Sequence, residues 1–165
     1  MTLLALMLPA ATLVAAAIDV RVRRIPNALT GGLAVAGIAL HVPQGVSPTV
    51  LAVAAMLAAF VAGSLAFSAG WFGGGDVKLI AACCAVAGFP GSGALVLEIL
   101  AAGAVLALVW AAAGGRLFSL VRSTTAVALR GAPLESNTLP YGVAIAAGSI
   151  FYTASSLVPA LRLPV

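Results

Sequence analysis

The chain carries four carboxylates in 165 residues, Asp19, Asp76, Glu98 and Glu135. Two of them sit where they could do chemistry together. Asp19 closes a long apolar run, and Asp76 opens another just after Gly73, Gly74 and Gly75. If both runs are helices, the two aspartates reach the same end of the bundle. Such a pair can activate water: one ionised carboxylate takes its proton, while one protonated carboxyl donates to a carbonyl oxygen. Two like charges in proximity resist joint ionisation, so the pair titrates as a coupled unit. Asp19 lies at a helix C-terminus and Asp76 at an N-terminus, so the helix dipoles predict Asp76 as the ionised base and Asp19 as the protonated acid. Each effect is roughly 0.3–1 kcal/mol, and for Asp19 it is opposed by Arg21, Arg23 and Arg24. Three bare glycines leave the backbone permissive of positive φ and open to an extended peptide strand. The plain alternative is a Gly-rich turn with Asp76 as an N-cap.

The rest of the chain must hold these groups in place, and its composition says in what solvent. Hydrophobic residues make up 63% and charged residues only 7%, against about half and a quarter in an ordinary soluble domain. Mean hydropathy is +1.21. That balance excludes a soluble globular domain, a disordered chain and a nucleic-acid binder. The expected fold is all-α, a polytopic membrane protein of about six transmembrane helices. The apolar runs fall at about residues 2–18, 28–42, 48–69, 77–89, 93–113 and 140–161, with the second and fourth short of the roughly 20 residues of a full span. Gly and Ala in these runs suit close helix packing in lipid.

The net charge is +4, and its placement gives a topology. With six spans, Arg21, Arg23, Arg24, Lys78, Arg116, Arg122 and Arg130 share one side and only Arg162 falls on the other. By the positive-inside rule that side is cytoplasmic, and both termini lie outside. No Lys or Arg precedes the first run, so it reads as a retained helix rather than a signal peptide. Residues 116–129 read equally as an interfacial amphipathic helix or a solvated connector. Cys83 and Cys84 are adjacent and read as free packing thiols, and no CxxC pair offers a zinc site.

The other polar residues have two readings each. Lys78 is two positions from Asp76, off its helix face. It either reaches the interface or tunes the proton affinity of the pair. Arg21, Arg23 and Arg24 are topology charges that bind lipid headgroups, or they orient substrate. Pro26 and Asn27 start the second helix. Glu98 finds a partner within the bundle, Glu135 is a loop charge, and His41 takes no role. Tyr141 shapes a cleft or anchors at the interface.

Three blocks resemble the type IV prepilin peptidases. Ile18-Asp19-Val20-Arg21-Val22-Arg23-Arg24-Ile25-Pro26-Asn27 is similar to their first aspartate block, and Gly73-Gly74-Gly75-Asp76-Val77-Lys78-Leu79 to their GxGD block. Leu139-Pro140-Tyr141-Gly142-Val143-Ala144-Ile145-Ala146 looks like the segment that opens their last helix, with Val143 where many relatives have a second proline. The resemblance implies a single transmembrane peptidase domain over residues 1–165, with Asp19 and Asp76 as the catalytic aspartates. Gly73, Gly74, Gly75, Lys78, Pro140, Tyr141 and Gly142 would bind substrate or shape the site. It implies an aspartic endopeptidase of a bacterial or archaeal-type plasma membrane. Such an enzyme cuts the short basic leader from prepilins or pseudopilins at the cytoplasmic face, beside the pilus assembly machinery. The chain lacks the extra cysteine-paired region of the larger methylating members, so it resembles the short, peptidase-only Flp/Tad-type branch. Water and two carboxylates suffice for hydrolysis, so neither metal nor organic cofactor is implied. The rival readings are a small ion- or proton-coupled transporter or channel subunit using Asp19, Asp76 and Glu98, and a non-catalytic assembly protein.

Overall fold

The computed structural model describes residues 2–113 and 141–157. Every regular element among them is helical. The helices are α1 (Thr2–Val22), α2 (Asn27–His41), α3 (Val46–Ser68), α4 (Gly74–Ala87), α5 (Gly91–Ala113) and α6 (Tyr141–Leu157), with a 3-10 turn at Val42–Gln44. The region 116–129 and Pro140 lie outside the described residues. Ala and Leu dominate these segments and are strong helix formers. A helix also satisfies its own backbone groups, as an apolar surrounding demands.

The elements match the apolar runs to within a few residues, with two differences that matter. Helix α1 continues past Asp19 to Val22 and ends at Arg23, whose φ of 56° is left-handed. The Arg23 N–H bonds the Asp19 carbonyl at 2.9 Å. Asp19 therefore sits within the last turn rather than after it. Helix α4 begins three residues early, because Gly74 and Gly75 join its first turn.

Two helical segments, Val46–Ser68 and Gly91–Trp110, are long and apolar enough to cross a membrane. Helix α6 is apolar but shorter, at 17 residues. Helices α2 and α4 have 15 and 14 residues. At 1.5 Å per residue they rise only about 22 and 21 Å, short of the roughly 30 Å hydrocarbon core. Short as it is, α4 is the most enclosed helix, with Val77, Leu79 and residues 81–86 buried. By contrast, Val46, Val50, Val61 and Leu65 on α3 are all more than half exposed. An apolar outer face of this kind belongs against lipid.

The helices pack as two groups. Helices α2 and α3 flank α4, while α6 packs along both α1 and α5; contacts of α1 and α6 with α4 are thin. Glycines let backbones approach where packing is tightest. A Cβ on Gly37 would lie 2.7 Å from the Val86 nitrogen, and one on Gly148 would lie 2.6 Å from the Ile99 nitrogen. The core shared by the groups holds Leu33, Leu79, Val86, Leu95, Ile99 and Ile145.

Candidate active site

The ends of α1 and α4 meet at a cavity of about 780 Å³. Asp19, Asp76, Gly73, Gly74, Gly75 and Lys78 all line it, together with Arg23, Arg24, Ile25, Pro26 and Asn27. The first two blocks of the sequence thus form its walls. Asp19 is buried and accepts a hydrogen bond from the Gly142 backbone N–H, 3.1 Å to Oδ2. That contact crosses from α1 to the first turn of α6. A Cβ on Gly142 would lie 3.0 Å from both Cβ and Oδ2 of Asp19, closer than side chains ordinarily pack. Gly142 therefore supports the first aspartate from behind.

Asp76 is held differently. Gly73 is the N-cap of α4, so Asp76 is the third residue of the helix. Its carboxylate turns back to the Gly73 N–H, the reciprocal half of a capping box. A Cβ on Gly73 would lie 2.8 Å from Asp76 Oδ2. Gly73 is needed for this close approach and not for an unusual dihedral. Gly73 is extended (φ −76°, ψ 147°), and the positive-φ glycines among the described residues are Gly45, Gly70 and Gly88. Gly75 lets Ile25 pack on the helix start, since its Cβ would lie 3.3 Å from that of Ile25.

The electrostatics reverse the dipole argument. Asp76 stands ahead of the apolar run of α4, and its carboxyl is pushed up to about 6, first by desolvation and then by the charge of Asp19, against the Gly73 hydrogen bond. From the ordinary 3.8, this is about 3 kcal/mol. A helix N-terminus acts the other way, by about 0.3–1 kcal/mol at exposed sites and up to about 2 kcal/mol where partly buried. Burial and the neighbouring carboxylate thus raise the hold of Asp76 on its proton, against the direction expected from the helix N-terminus alone.

Tyr141 does not line the cavity, but it lies within electrostatic reach of Asp76. Its ring meets Phe72 edge-on, with centroids 4.9 Å apart at 78°, and packs on Gly103 of α5. The contact ties the start of α6 to the loop before α4, and so ties the support of Asp19 to that of Asp76. Phe72, Ile25 and Asn27 were not singled out by sequence as site residues. Only the aromatic residue just ahead of the glycine run hinted at such a role. Lys78 donates to Asn27 Oδ1 at 2.9 Å. Glu98 lies elsewhere, between α5 and α6, where Ser155 Oγ donates to its Oε1 at 3.3 Å and Oε2 is unpartnered among the described residues. His41 Nε2 is 3.2 Å from the Val86 carbonyl oxygen, a structural contact remote from the cavity. Among the described residues no His/Cys/Asp/Glu group could hold a metal ion.

These features describe a helical membrane protein whose polar cavity holds two coupled carboxylates. The family model described as the type IV leader peptidase family matches residues 6–129, and the chain belongs to that family. Membership makes it a protease, a leader peptidase of the prepilin type. The match includes Asp19 and Asp76 and stops before Tyr141 and Gly142. No curated protein and no solved structure matches the chain.

Proposed function

We propose that this chain is an aspartic endopeptidase that removes the short basic leader from prepilin-like substrates, with Asp19 and Asp76 as its catalytic groups. The observation that carries the reading is the shared cavity, in which Asp19 contributes to holding the proton on Asp76. Asp19 takes a proton from water as the water oxygen attacks the scissile carbonyl carbon. Asp76 donates its proton to the carbonyl oxygen. On collapse of the tetrahedral intermediate, Asp19 passes its proton to the leaving amine and Asp76 recovers one from the hydroxyl. Each carboxyl ends as it began, so no cofactor is consumed.

The same reading assigns six spans to the apolar runs of the described helices, with the short α4 enclosed by its neighbours. Arg23, Arg24 and Lys78 ring the cavity, which favours a cytoplasmic placement by the positive-inside rule. Both termini are then outside. By the resemblance of its aspartate blocks, the chain is assigned Flp/Tad-type pilins as substrates. The test is cleavage of a tagged Flp-type prepilin in membranes by wild type, Asp19→Asn and Asp76→Asn, each expressed at equal level. The expected result is cleavage by wild type alone. Equal cleavage by both variants would overturn the assignment.

A further inference from the structure

Two donors at the cavity rim have no part in the proton chemistry. Lys78 Nζ lies 2.9 Å from Asn27 Oδ1, bridging the first turn of α2 to the second turn of α4. Both residues line the cavity that holds Asp19 and Asp76. Lys78 is off the helix face of Asp76, yet both reach the cavity because it opens at the end of the helix. There, a side chain folded back toward the N-cap and one reaching across to α2 flank the same space.

The hydrogen bond fixes what each partner still offers. Asn27 spends its carbonyl oxygen on Lys78, so among the described residues its amide NH₂ keeps its two donors. Lys78 spends one of three N–H groups and keeps two. The pair is solvent-exposed, where such contacts add little stability. An extended peptide presents carbonyl acceptors at every second residue on each edge. The catalytic carboxylates serve the scissile carbonyl and the water, and carboxylates cannot donate to the other carbonyls unless protonated. We propose that Lys78 and Asn27 form a clamp for substrate main-chain carbonyls beside the scissile bond. Asn27 is both a donor and the positioning residue for Lys78. The clamp reads the backbone, and so it accepts substrates of differing side chains. A lipid phosphate is the less suitable occupant, because two carboxylates share the cavity.

This inference rests on the peptidase reading. The experiment is steady-state cleavage of a prepilin-type peptide by the full chain in micelles of neutral detergent. The variants are Lys78→Met, Asn27→Ala, the double variant and Lys78→Arg. The clamp predicts a KM about tenfold higher for each single variant, with kcat within twofold of wild type. The double variant should be no worse than the poorer single one, and Lys78→Arg should recover most of the loss. The pH at which kcat/KM falls should not move. Unchanged KM with active wild type would overturn the clamp alone. So would a moved pH limb, which is the signature of Lys78 tuning Asp76, or a KM effect that appears only when anionic lipid is added. If wild type cuts nothing, the peptidase reading fails and the clamp falls with it.

Discussion

Asp76→Asn should remove activity and, above about pH 5, stabilise the protein. Asn keeps the shape of the side chain and an oxygen for the Gly73 N–H, but it cannot ionise. In the folded protein the Asp76 carboxyl is raised from 3.8 to about 6, so the folded state binds its proton more tightly than the unfolded chain does. Below about pH 4 both states are protonated, and the contribution is fully present. It is lost as pH rises through the interval up to about 6. The whole interval amounts to about 3 kcal/mol. Asp76 is only partly buried and faces an open cavity, so screening reduces this to about 1–2 kcal/mol. For a chain of this size that is a shift of about 2–8 °C in Tm. The assay is thermal unfolding in detergent of wild type and variant at pH 4, 6 and 8. The difference in Tm, variant minus wild type, should grow from pH 4 to pH 6 and then level. A difference that is constant across pH, or that shrinks as pH rises, would refute the reasoning.

Other outcomes follow from the same geometry. Since the competent pair carries one proton, kcat/KM should be half its plateau near pH 6 and fall about tenfold per unit above, as the free enzyme loses that proton; a cleavage profile over pH 5–8 measures it. Gly142→Ala should lower kcat by about 10–100-fold, because the new methyl displaces Asp19, and misplacement of about 1 Å costs that much. Gly73→Ala should act alike through Asp76, and single-turnover cleavage reads both. Gly148→Ala should destabilise by about 1–3 kcal/mol, since its Cβ meets the α5 backbone. Gly31→Ala, with nothing within 4 Å, should be neutral or stabilising by up to about 1 kcal/mol. Thermal unfolding of the two variants side by side tests the contrast.

Much of the site was legible because rare residues stand out against an apolar chain. Asp19 and Asp76 are conspicuous at the ends of runs, and helix is the natural state of such runs. What was not legible depends on contacts between distant positions. Gly142 braces Asp19 across 123 residues of sequence, and Lys78 meets Asn27 across 51; neither pairing leaves a periodic mark. The glycines before Asp76 were read as a bare backbone, permissive of positive φ and open to a peptide strand, with a plain Gly-rich turn as the alternative. Their use is the absence of a Cβ, which only a folded carboxylate reveals. The dipole argument favoured an ionised Asp76, while desolvation, which is a property of the assembled cavity, pushes the other way.

The division of the bundle has a further consequence. Helices α2 to α4 carry Asp76, and the group of α1, α5 and α6 carries Asp19 together with the glycine that supports it. Each half carries one of the two aspartates, and the contacts of α1 and α6 with α4 are thin. The arrangement acts as an interlock. A tilt that parted the halves would take from Asp76 the Asp19 charge that, after burial, helps to hold its proton. Under the peptidase reading, the joint between the halves must be closed for both carboxylates to reach one scissile bond.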